Sequence, residues 1–157
     1  MNHKLYMDIA RTVSEASNCV SHKVGAIIVK DGRIISTGYN GTPSGYTNCN
    51  EFCDSKGWSI DGVLNKDFRD LHSKWSSKHE IHAELNAILF AAKSGTSIDG
   101  SIMYVTLSPC HECAKAIINS GVKCIIYDKV YDKNTEDWDS ILINQGISVI
   151  AFNEVWP

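Results

Sequence analysis

Residues 101–127 read SIMYVTLSPCHECAKAIINSGVKCIIY. The apolar, β-branched and aromatic runs Ser101–Leu107 and Val122–Tyr127 have the composition of strands. Between them the spacing predicts a helix over His111–Ser120. Gly121 closes it, since glycine most easily takes the left-handed conformation just past a helix end. Downstream, a helix is expected around Asp137–Asn144 and a last strand over Ile147–Phe152. Upstream, a helix runs from about Ile81 to Ser94 and stops at Gly95. Further back, Val24–Val29 and Arg33–Gly38 flank Asp31-Gly32, a hairpin dipeptide whose two positions both need positive φ. Residues 4–17 carry Leu5, Ile9, Val13 and Ala16 at helical spacing. Strands alternating with helices predict an α/β chain: a three-layer α/β/α sandwich with one mixed five-stranded sheet, as a single domain over residues 1–157. Only Asn40 to Lys78 shows no clear period. It reads as an extended loop with room for a short helix, and loops this long in compact domains are usually functional or tied down.

Bulk properties narrow the function. A chain of 157 residues, 43% apolar and 21% charged, can bury one ordinary core. A formal net charge of -3, without a basic stripe, argues against a nucleic-acid partner but leaves room for a small anionic substrate. The start, Met1-Asn2-His3-Lys4, has no signal-peptide apolar region, and no apolar run has membrane-spanning length. A cytoplasmic protein is expected, and its six cysteines then point to metal or catalytic use before disulfides.

Two motifs carry the chemistry. His82-Ala83-Glu84 opens one predicted helix, and Pro109-Cys110-His111-Glu112-Cys113 opens another. Unpaired N–H groups and the helix dipole favour anions at such ends, which lowers thiolate pKa values. One imidazole and two thiolates leave a fourth tetrahedral position on zinc for water, whose pKa the metal brings toward 7. Glu84, two residues from His82, is close enough to move protons without ligating. Taken alone, the cysteine pair also fits a structural zinc knuckle or a redox pair, and His82-Ala83-Glu84 fits an ordinary helix start. Together, in this order, they match the pattern of zinc nucleobase deaminases.

Longer segments extend the match. Ser36-Thr37-Gly38-Tyr39-Asn40-Gly41, His72-Ser73-Lys74-Trp75-Ser76-Ser77-Lys78, Glu80-Ile81-His82-Ala83-Glu84-Leu85-Asn86-Ala87-Ile88 and Met103-Tyr104-Val105-Thr106-Leu107-Ser108-Pro109-Cys110 carry it. From about Cys19 to Asn134 the chain resembles the deoxycytidylate deaminases, in particular the tailed-bacteriophage branch. The resemblance implies hydrolysis of dCMP to dUMP, which feeds thymidylate synthesis. It implies a catalytic zinc on His82, Cys110 and Cys113, with Glu84 as proton shuttle. It also implies a second, structural zinc on Cys19, Cys49, His72 and Glu80. From the residues alone, Cys53 fits as well as Cys49, and His79 as well as Glu80. Substrate contacts are carried over to Asn40 (deoxyribose) and to Lys93 and Tyr131 (5′-phosphate), Lys93 standing where a phage relative would have arginine. Control by dCTP as activator, with Mg(2+) accompanying it, and by dTTP as inhibitor, within a homohexamer, is likewise implied. Ser21-His22-Lys23-Val24-Gly25 is the candidate segment for those effectors.

Other readings are open at this level: a deaminase of free cytidine nucleosides or of nucleic-acid bases, a riboflavin-type or tRNA-adenosine branch, or a catalytically silent zinc domain. Phe90 is expected to be helix core, and Trp58, Trp75, Trp138 and Trp156 to be packing.

Overall fold

The computed structural model describes Met1–Pro157. Five strands form the main sheet: β1 (Gly25–Lys30), β2 (Arg33–Tyr39), β5 (Ile102–Leu107), β6 (Cys124–Lys129) and β7 (Ser148–Ala151). Their order is β2-β1-β5-β6-β7. β1 runs antiparallel to both β2 and β5, whereas β5, β6 and β7 are parallel, so the sheet is mixed as the sequence predicts. The β1–β2 turn has Asp31 at φ 52° and Gly32 at φ 73°, the doubly left-handed geometry expected of an Asp-Gly hairpin.

Strand alternation sorts the core into two halves. Ala26, Ile28, Met103, Val105 and Ile125 face one side, under α4 (Ala83–Lys93), α5 (His111–Ser120) and α6 (Ser140–Asn144). Ile27, Val29, Tyr104 and Ile126 face the other, against α1 (His3–Ser14) and α7 (Phe152–Val155), which contribute Tyr6, Met7, Ala10 and Phe152. The result is the three-layer sandwich. Gly38 sets how closely α4 sits on β2: a Cβ there would lie 2.4 Å from the Ala83 carbonyl oxygen and 2.5 Å from the Ala87 nitrogen. No helix is long and apolar enough to cross a membrane.

The expected loop is more ordered than its sequence predicts. It holds α2 (Cys49–Ser55), a small hairpin of β3 (Ser59–Ile60) and β4 (Val63–Leu64), and the eleven-residue α3 (Arg69–His79). α3 escapes periodicity because its inward residues are His72 and the half-buried Trp75 instead of aliphatics. Trp75 stacks between Phe52 (centroids 4.5 Å apart) and His79 (4.9 Å). Two packing expectations fail. Trp156 is 51% exposed near the end of the chain, and Phe90 is 55% exposed because it lies on the outward side of α4. Trp138 is buried against Tyr127, and Trp58 packs edge-on to Phe52.

Candidate active site

The first pair of helix starts converges as their motifs require. His82 is the N-cap of α4 and Cys110 the N-cap of α5, both in extended conformation, and neither cap side chain bonds its own helix. First-turn N–H groups are therefore free to favour anions, and the cap side chains are free to turn toward each other. His82 Nδ1 lies 3.4 Å from Cys110 Sγ and 3.4 Å from Cys113 Sγ. A tetrahedral zinc with its usual N and S bond lengths would set such ligand atoms about 3.5 Å apart, so the trio fits the metal. A hydrogen bond from Cys113 holds the Cys110 thiol down to about 3, with His82 adding to the effect. In return, Cys110 raises His82 to about 9. Glu84, one residue inside α4, is only 3% exposed. Burial pushes its carboxyl up to about 7, the range in which a group both takes and returns protons near neutrality.

A second cluster lies beside the first. Cys49 Sγ is 3.3 Å from His72 Nε2, Cys19 Sγ is 4.0 Å from the same nitrogen, and Glu80 Oε1 is 3.5 Å from both Cys19 Sγ and His72 Nε2. All four ligand atoms lie within 4.8 Å of one another. Glu80 Oε2 is buried without any hydrogen-bond partner, a cost that a cation would offset. The geometry separates the alternatives left open above. Cys53 is buried 3.9 Å behind Cys49, outside the cluster, and exposed His79 turns its Nδ1 to the Trp75 carbonyl. Glu80 caps the end of α3 while His82 caps the start of α4. Ile81 between them exchanges backbone hydrogen bonds with Gly41 (3.1 and 2.7 Å). One short extended segment thus carries a residue of each cluster.

Both clusters border a single cavity. His82, Glu84 and Cys110 line it, as do Cys19, His72 and Glu80. Of the expected substrate contacts, Asn40 and Tyr131 also line it. Asn40 has little amide capacity left, because its Oδ1 accepts from Val24 N (2.8 Å) and its Nδ2 donates to the His22 carbonyl (2.7 Å). Burial raises the Tyr131 hydroxyl above its ordinary pKa, so it stays a donor. Lys93 does not line this cavity. It borders an adjoining groove with Tyr39, Tyr46 and Phe90, which meets the cavity at Cys19 and Asn40, because the last turn of α4 lies away from the end that carries His82 and Glu84. Ser21, His22 and Val24, from the segment expected to take effectors, line this same cavity. Beside Asn40, Gly38 makes room for α4, and Gly41 bridges to Ile81.

Sequence reasoning missed two cations at the cavity, Arg69 and Lys133. Arg69 opens α3, which the pattern did not predict. Lys133 was findable, since it follows Tyr131 by two residues in the same loop after β6. Its Nζ reaches Ser73 Oγ on α3 (3.2 Å).

The sequence profile of the cytidine and deoxycytidylate deaminase zinc-binding region matches residues 1–129, and the chain belongs to that family. It is a zinc-dependent hydrolytic deaminase. It is 50% identical to the deoxycytidylate deaminase of Enterobacteria phage T4, over 95% of this chain and 89% of that one, and 50% identical to that of phage T2, over 95% and 91%. The dCMP deaminase of cyanophage S-TIM5, solved in complex with dCMP and dUMP, superposes with a TM-score of 0.73 at 40% identity, covering 94% of each chain.

Proposed function

We propose that this chain hydrolyses dCMP to dUMP and ammonia. One observation carries the reading: the cavity that holds Glu84 beside His82 and Cys110 is also lined by Arg69, Lys133 and the protonated Tyr131. These groups can take a 5′-phosphate that a nucleoside lacks. The names of the phage relatives support the same substrate.

In this reading His82 Nδ1, Cys110 Sγ and Cys113 Sγ would hold the catalytic zinc, which would supply an acidified water as the nucleophile for cytosine C4. Glu84 takes one proton from that water and delivers it to ring N3. It then takes the second from the new C4 hydroxyl and passes it to the amine, which leaves as ammonia while the C4 carbonyl forms. Its burial leaves bulk water little opportunity to compete for the proton. The remaining N–H of Asn40 donates to the deoxyribose. Cys19, Cys49, His72 and Glu80 would hold a second zinc, which would pin α2 and α3 to the core, and α3 supplies Arg69 and Ser73 to the cavity. Six free thiols suit a reducing cytoplasm.

Control by dCTP with Mg(2+), and by dTTP, in a homo-oligomer is a second inference. The groove containing Lys93 favours it, since Lys93 there sits beside aromatic rings and is not part of the catalytic cavity's wall. A substrate panel tests both. Turnover of dCMP should exceed that of deoxycytidine at least a hundredfold in kcat/KM. Comparable rates on the two would reject phosphate recognition. The dCMP rate should also rise with dCTP and fall with dTTP, and indifference to both would reject effector control.

A further inference from the structure

The loop after β6 is fastened to the strand end that precedes Cys110. Ser108, buried at the end of β5, accepts two hydrogen bonds on one oxygen: from Tyr131 N (2.7 Å) and from Asn134 Nδ2 (2.8 Å). The same Asn134 amide donates to the Pro109 carbonyl (3.1 Å), and Asn134 N closes a turn onto the Tyr131 carbonyl (2.9 Å). Ser108 N also donates to the Lys129 carbonyl (2.8 Å), extending the β5–β6 pairing to the base of the loop. Asn134 itself does not line the cavity, but the turn it closes presents Tyr131 and Lys133 to it. Beyond the turn these two have only light restraint. Tyr131 meets the His22 ring edge-on at 5.6 Å, and Lys133 makes one exposed hydrogen bond to Ser73.

We propose that Asn134 is a positioning residue for monophosphate specificity: by locking the Tyr131–Asn134 turn onto Ser108 and Pro109, it holds Tyr131 and Lys133 as a preset pair for the substrate phosphate. This rests on the dCMP reading above. A flexible lysine and a tyrosine on an unpinned loop would have to be ordered by the substrate at every binding event, a cost that the lock removes beforehand. Asn134 thus acts on recognition of the phosphate, because its amide reaches Ser108 Oγ and the Pro109 carbonyl but none of the side chains of Glu84, His82, Cys110 and Cys113.

The test compares wild type, Asn134→Ala, Lys133→Ala and the double variant carrying both in steady-state assays on dCMP and deoxycytidine, with zinc content and melting temperature measured alongside. Asn134→Ala should raise the KM for dCMP about tenfold or more, the size of a lost charge-assisted contact. Its kcat, and its kcat/KM on deoxycytidine, should stay within twofold of wild type. The double variant should lose less than the product of the two single losses, since both act on one phosphate contact. If Asn134→Ala keeps the wild-type preference for dCMP with an intact fold, the proposal is overturned. It is equally overturned if both substrates lose rate together, or if Asn134→Ala and Asn134→Ser both fail to fold, because Asn134 would then support the domain and not the pair. A wild type without preference for dCMP would instead sink the substrate reading itself.

Discussion

Glu84 and His82 are two residues apart yet live in different surroundings, and the difference sets their roles. His82 stands at the cap, where its ring can turn outward to the sulfurs of Cys110 and Cys113. Glu84 is drawn into the helix and shut off from solvent, which raises its pKa to about 7. Glu84→Gln retains shape and burial but cannot carry a proton. Turnover is expected to fall by about a thousandfold or more while zinc content by elemental analysis stays at the wild-type value. Loss of zinc together with activity would instead make Glu84 part of the metal's support. Among single residues, the motif-bearing ones were the most legible in the sequence, because a zinc ligand set demands fixed residue types at fixed spacing. Lys93 was not. A lysine in a last helical turn looks the same whether the turn faces a cavity or leads away from it, and only the direction of α4 decides.

Between elements, the contact that most directly positions the catalytic groups is α4 on β2. The helix backbone comes close enough to Gly38 that any side chain there meets main-chain atoms that cannot yield alone. Gly38→Ala is expected to push the start of α4 outward, costing about 2 kcal/mol or more in urea unfolding and lowering Tm by about 5 °C. Turnover should fall with it, since the same turn carries Glu84, and an unchanged Tm would disprove the close-packing account. At this scale the sheet was readable from alternation and from Asp31-Gly32, whereas α3 was not, since its inward face consists of His72 and Trp75. The β3–β4 hairpin did leave a signal. Asp61-Gly62 repeats the dipeptide of the first hairpin and takes the same geometry, at φ 51° and 77°. Its strands are only two residues each, too short for alternation to register.

At the scale of the whole molecule, stability should divide between a self-sufficient sandwich and a metal-dependent annex. The core clusters of the sandwich are large and aliphatic, while the annex gathers mainly around Cys19, Val20, Cys49 and Cys53. Prolonged chelation is expected to lower Tm by about 10 °C and to open residues 42–80 to limited proteolysis while β1, β5 and β6 stay protected from hydrogen exchange. Uniform loss of protection across the chain would reject this division. The backbone bridge between Gly41 and Ile81 gives the division a topological form. The excursion departs and returns at one neck, like a bag closed by a drawstring, so its contents can be exchanged without re-routing the sheet. Gene-level insertion, deletion or grafting of a foreign segment at that neck would leave the proton-moving apparatus in place and rewrite only the wall that chooses what enters it.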